Sequence, residues 1–354
     1  AGVRSGWYTH HRPAPPAAMA SSAPNRKTLT RNRRKPLPLL LRVKSTDDDN
    51  SRMTHELNGV TTLPHLGVIR VQGEDAAKFL QGQLTQDFVL LGDAQARLAA
   101  FCSAKGRMQA SFIGLRRGAD QILLVCSQDI LAPTLKRLSM FVLRAKARLT
   151  DATADFSLYG LAGASCPAIG TQAPWERVDD GDTSLVSLYP ADGQPRALRI
   201  APAGHPSPAG PALSLDDWLW SEVRSGIATL SAPIVEAFVP QMLNYESVGG
   251  VNFRKGCYPG QEVVARSQFR GTLKRRAFVA HANAELAAGQ EVFHESDATQ
   301  PCGTVAQAAR APLGGFDVIV SIQLSAAEGG RLWAGEAANT LALQPLPYLL
   351  AADV

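Results

Sequence analysis

The chain has 354 residues, 45% of them hydrophobic and 19% charged. This globular composition excludes disordered, collagen-like and coiled-coil classes for its bulk and leaves room for two or three domains. Five cysteines without a CxxC pair form neither a disulfide framework nor a zinc-ligand pattern, so a reducing, cytoplasmic location is expected.

The net charge of +5 is unevenly placed. Residues 1–52 hold eleven Lys and Arg against Asp47, Asp48 and Asp49, a net +8, which leaves −3 on the other 302 residues. A mildly acidic body has no overall field to attract a polyanion, so no DNA partner is expected. Residues 1–46 contain no acid, are rich in Arg, Pro and Ser, and lack apolar periodicity. Their one apolar run, Leu37 to Leu41, is interrupted by Pro38 and is too short for a signal-peptide core or a membrane span. We expect 1–52 to be a disordered basic extension or a misassigned start, dispensable for folding, and we expect no membrane partner.

In chain order, GVIRVQG from Gly67 alternates as a half-buried strand does, and EDAAKFLQGQLTQDF has helical spacing through Ala77, Leu80 and Leu84. Ala96–Ala104 and Met108–Arg116 flank Lys105-Gly106-Arg107, a hairpin turn. Gln121–Ser127 is a third strand of that run and Ile130–Arg144 a helix. Strands follow at 155–163, 183–189 and 196–202, then a Pro/Gly-rich loop at 203–214. Leu215–Ile227 reads as an amphipathic helix opened by Ser214 with Asp217 three residues on. Short, evenly spaced strands after Gly271 predict a small barrel over about 272–350. The fold class is α+β with mostly antiparallel pairing. No P-loop, GxGxxG, HExxH or GxSxG occurs, so nucleotide hydrolysis, dinucleotide redox, zinc proteolysis and serine esterase chemistry lack their minimal parts.

The densest cluster of unusual residues is Val248–Arg276, VGGVNFRKGCYPGQEVVARSQFRGTLKRR. Its five glycines suit a loop that approaches a ligand closely. Pro259 reads as first-turn helix, which would set Cys257 just before the N-terminus of a helix over 261–268. The dipole, Arg254 and Lys255 would then all favour a thiolate. A lone cysteine is also often a small buried hydrophobe, and no base stands near it in sequence. Cys102, Cys126 and Cys302 lie in apolar strands and read as packing residues, and Cys166 lies in a loop.

KGCYPGQE followed by VVAR and FRG resembles the signature of the YgfZ family. These are folate-binding proteins implicated in iron-sulfur protein maturation and tRNA modification, and they are related to the glycine-cleavage T-protein, an aminomethyltransferase. Phe79–Asp87, Leu98–Met108, Phe238–Asn244 and Ala338–Tyr348 also look like family blocks, so the resemblance spans nearly all of 53–354. It implies a ring of two mixed α/β subdomains, 53–150 and 151–271, and a C-terminal β-barrel, 272–354, around tetrahydrofolate or a derivative. Carried over residue by residue, it implies that Cys257 and Lys255 form the functional motif. It likewise implies that Glu262 faces the pterin, with Trp218 and Tyr258 as further folate contacts. A folate-associated tryptophan of some members falls near Leu66 here.

The function implied is a tetrahydrofolate-binding accessory protein for iron-sulfur enzymes and their assembly factors, with an indirect link to tRNA. The alternative is an aminomethyltransferase-like one-carbon transfer enzyme. Those relatives place a carboxylate on the strand after the first hairpin, where this chain has Gln109 and Ala110, neither able to carry charge. A third reading is an RNA-binding module using Arg254, Lys255, Arg266, Arg270, Lys274, Arg275 and Arg276.

Overall fold

A computed structural model describes residues 55–166, 172–269 and 273–351. The expectation for 1–52 therefore lies outside the described residues. In chain order the first elements are β1 (Gly59–Thr62), β2 (Leu66–Gln72), α1 (Ala76–Gln81), β3 (Ala96–Cys102), β4 (Met108–Arg116), β5 (Gln121–Ser127), α2 (Gln128–Ser139) and β6 (Arg148–Asp151). Next come β7 (Phe156–Ala162), β8 (Arg177–Asp180), β9 (Thr183–Ala191), β10 (Gln194–Pro202), α3 (Leu215–Arg224) and α4 (Gln261–Phe269). The last are β11 (Arg275–Ala282), β12 (Glu291–His294), β13 (Gly303–Arg310), β14 (Phe316–Gln323), α5 (Leu324–Ala327), β15 (Leu332–Ala334) and β16 (Thr340–Gln344).

Two five-stranded antiparallel sheets are formed, β3-β4-β5-β2-β6 and β1-β7-β10-β9-β8. The second sheet begins with β1, which precedes every strand of the first and pairs with β7 from Gly59 opposite Ala162 to Thr62 opposite Tyr159. Alternation gives each sheet an inner face. Val68, Leu115, Leu123 and Val125 of the first sheet share one buried cluster with Leu158, Val186, Leu198 and Ile200 of the second, and Trp218 of α3 belongs to it. A larger cluster joins the first sheet to Phe79 and Leu80 of α1, Ile130, Leu131 and Leu138 of α2, and Ala277, Ala306 and Ile319 of the barrel.

The barrel is closed in the order β11-β14-β13-β12-β15-β16, with β16 returning to β11. It occupies the stretch expected from the strand spacing. Both helix readings in the first half are too long. The segment read from Glu74 onward is helical only to Gln81, and α2 ends at Ser139 rather than running to Arg144.

Candidate functional site

The sequence LSLDDWLWSEVR folds into α3 because Ser214 caps it, accepting a 2.9 Å hydrogen bond from the Asp217 amide, with Asp216 and Asp217 at the positive end of the dipole. The helical period then sets Trp218 and Glu222 on one face, four residues apart, and the Trp218 indole donates to Glu222 Oε1 at 2.8 Å. Both line a cavity of about 60 Å3 between the inner faces of the two sheets. Leu198 comes from the second sheet, Ser111 and Val125 from the first, and Tyr245 from the connection to the barrel.

Glu222 is held from three directions. Oε1 also lies 3.1 Å from His65 Nε2, and Oε2 accepts from Gln307 Nε2 at 3.1 Å. Gln307 reaches in from β13 at a bulge between Val305 and Gln307. Burial by itself would raise the Glu222 carboxyl. The His65 and Trp218 hydrogen bonds and the positive charge of Arg196 outweigh it and hold the pKa below the ordinary 4.5, so the group is a carboxylate at neutral pH. Beside it, the Arg196 guanidinium lies over the Trp218 ring, 4.4 Å from the centroid. Gly160 of β7 is required here, since a Cβ at that position would stand 2.5 Å from the indole.

The signature loop is a second, separate place. None of residues 252–269 lines the cavity. Lys255 is buried, and its ammonium donates to the carbonyls of Gln81 and Leu84 at 2.5 and 2.7 Å. It also sits 4.5 Å from the Tyr258 ring centroid. Burial lowers its pKa to about 8, partly offset by Asp87 and Cys257. Thr85 donates to the Gly250 carbonyl at 2.6 Å and Gln86 to the Gly249 carbonyl at 2.7 Å. The turn after α1 and the signature loop are thus one hydrogen-bonded unit.

The site residues expected from sequence fall into two groups. Trp218 lies in the cavity, and Leu66 is an apolar part of its wall. Glu262 does not line it. Its side chain on α4 is 84% exposed and pairs with Arg266 at 2.8 Å. Tyr258 packs under Lys255. Gln109 donates to Glu236 at 2.6 Å, Ala110 is buried, and of this strand the next residue, Ser111, is the polar one that reaches the cavity.

Glu222 and Arg196 were not singled out in the sequence. The available signal for Glu222 was its i+4 spacing from Trp218, whereas Arg196, on a strand across the cavity, had none. Pro259 and Gly260 form a turn ahead of α4, Gly260 at φ +79 packing its backbone against Ser103 and Gly106. Cys257 therefore stands four residues before the helix, beyond the first turn where the dipole acts.

Cys257 is exposed, while the other four cysteines are buried and unpaired. Burial pushes the thiols of Cys102, Cys126 and Cys166 up to about 12 and also raises Cys302. Iodoacetamide on the folded protein is expected to label Cys257 first, with the other four protected until denaturant is added. Labelling of Cys166 at the same rate, read by peptide mass mapping, would defeat that expectation.

Comparison with known proteins places this geometry. A family model described as the GCVT N-terminal domain matches residues 40–178. The crystal structure of the glycine cleavage system aminomethyltransferase T from Bartonella henselae superposes with a TM-score of 0.62 at 15% identity, covering 83% of this chain and 87% of that one. It shows a shared fold. The tRNA-modifying protein YgfZ of Edwardsiella ictaluri is 33% identical over 79% of this chain and 89% of its own length. That of Cronobacter sakazakii is 30% identical over 79% and 90%. With relatives this similar along almost their whole length, the chain belongs to the YgfZ family.

Proposed function

We propose that this protein binds a reduced folate in the cavity between its sheets and acts as a cytoplasmic accessory factor for assembly or repair of iron-sulfur enzymes, tRNA-modifying enzymes among them. The observation that carries the reading is the buried Trp218-Glu222 pair on the cavity wall. The donor set fits a pterin, because an ionised carboxylate accepts hydrogen bonds from adjacent ring N–H groups. The role first expected of Glu262 passes to Glu222, since Glu222 is the buried one and lines the cavity.

Tetrahydrofolate would supply one-carbon carrier chemistry when bound. Aminomethyl transfer is disfavoured, because Ser111 stands in the cavity wall next to Gln109 and Ala110, where the transferases keep a carboxylate. Cys257, outside the cavity on an exposed loop, suits contact with a partner protein rather than with the folate. The name of the relatives supports a link to tRNA modification.

The test is titration of tetrahydrofolate into the full chain, followed by tryptophan fluorescence and calorimetry. Wild type should bind, and Glu222→Gln, which keeps the shape and removes the charge, should weaken binding by about 1–3 kcal/mol. Equal affinity of the two proteins would remove Glu222 from the site.

A further inference from the structure

Arg196 is, among the described residues, the one cation on the cavity wall. It projects from β10 and is 3% exposed. A guanidinium carries five N–H donors in a rigid fork, and burying them without acceptors is costly. Here they are almost unused. The one hydrogen bond is a 3.4 Å contact from Nη1 to the Tyr189 carbonyl, and the buried Nε–H has no acceptor. Burial lowers its pKa to about 10, with the Glu222 charge opposing, so the group is a cation at neutral pH.

Its neighbours do not consume the donors. Glu222 accepts from Trp218, His65 and Gln307 and makes no hydrogen bond with Arg196. The guanidinium instead covers the Trp218 ring, so a flat ligand meets the arginine rather than the bare indole face. One wall of the cavity thus presents an acceptor, the Glu222 carboxylate, and beside it an unsatisfied donor, both fixed against the same indole.

We propose that Arg196 is a specificity-determining residue, its under-used guanidinium donating to an acceptor atom on the ligand ring. The cavity then selects a heteroaromatic edge with a carbonyl oxygen next to N–H donors, as in a 4-oxo pterin. It disfavours the edge carrying a 4-amino group, which sets a donor against the guanidinium and, because N3 then carries no proton, an acceptor toward the Glu222 carboxylate. This inference rests on the folate reading of the cavity and adds the ring chemistry that is read there.

The experiment uses the full chain and two matched probes, tetrahydrofolate and its 4-amino-4-deoxy counterpart, each titrated by calorimetry and by ligand-induced shift of the melting temperature. Wild type should bind the 4-oxo compound at least tenfold more tightly. Arg196→Met should cut that preference at least threefold, mainly by weakening the 4-oxo compound, and leave the part that Glu222 reads at N3. Arg196→Lys, which keeps a buried cation without the planar fork, should retain an intermediate preference and serves if the Met variant does not fold. Equal binding of both probes by wild type, or a preference as large in a folded variant as in wild type, would overturn the inference while leaving the folate reading intact. Binding of neither probe would overturn both.

Discussion

Replacing Glu222 with alanine is expected to destabilise the protein by about 3–5 kcal/mol, the usual result of removing one member of a buried, hydrogen-bonded charge set. The loss has identifiable parts. Arg196 would keep its charge with no anion near it, and the Trp218 indole and the Gln307 amide would each lose an acceptor. Urea denaturation at pH 7 measures it, and a change below about 1 kcal/mol would show that the network contributes little.

The pH dependence gives a second signature. The folded carboxyl lies below its ordinary 4.5, so the stability it contributes is fully present above that value and disappears as pH falls through the folded pKa. Glu222→Gln has no such titration. The gap between wild type and the Gln variant should therefore narrow as pH falls below 4.5.

Lys255→Met is expected to cost about 2–3 kcal/mol, because the carbonyls of Gln81 and Leu84 lose a charged donor while the apolar stem is kept. The signature loop should also loosen, and limited proteolysis should cut within 252–260 faster than in wild type. A Met variant with unchanged stability and an unchanged cleavage rate would return Lys255 to a chemical role. The linkage sign is set by burial. The folded pKa of about 8 lies below the ordinary 10.5, so between those values the unfolded chain binds more protons and this group adds stability as pH rises. Wild type should gain on the Met variant across that window.

Four strands of the first sheet, β2 to β5, were legible because alternation and the Lys105-Gly106-Arg107 turn are local signals, and β4 and β5 fall on the residues the pattern marks, whereas the short edge strand β6 was not marked. The end of α1 was not. Its last carbonyl is taken by Lys255, 174 positions away, and the Gln81 side chain turns forward to accept from the Phe88 amide. A helical period cannot report a partner so remote.

The end of α2 is also tertiary. Past Ser139 the chain lets Val142 and Ala145 reach the core and sets Phe141 edge-on against Phe101. In the site, the resemblance marked Cys257 and Lys255 but gave no sign that they lie apart from the cavity. Reading Pro259 as helix moved the thiol toward a dipole that starts at Gln261. Arg196 was hidden because an arginine in RALRIAP reads as the solvent side of a strand, whereas β10, between β7 and β9, has one face turned to the cavity.

The place of β1 in the second sheet bears on how the chain is made. Its partner residues in β7 lie 97 to 103 positions later in the sequence, at Tyr159 to Ala162. At roughly 5–20 residues per second on the ribosome, β1 waits about 5–20 s before that edge exists. The first sheet, whose strands all lie between Leu66 and Asp151, is complete before β7 is synthesised. Vectorial synthesis thus favours an order in which β2 to β6 close first while the short strand ahead of them stays unpaired. Its capture by β7 then joins the start of the described chain to its middle, and the cavity gains its second wall when Leu188 of β9 and Leu198 of β10 follow.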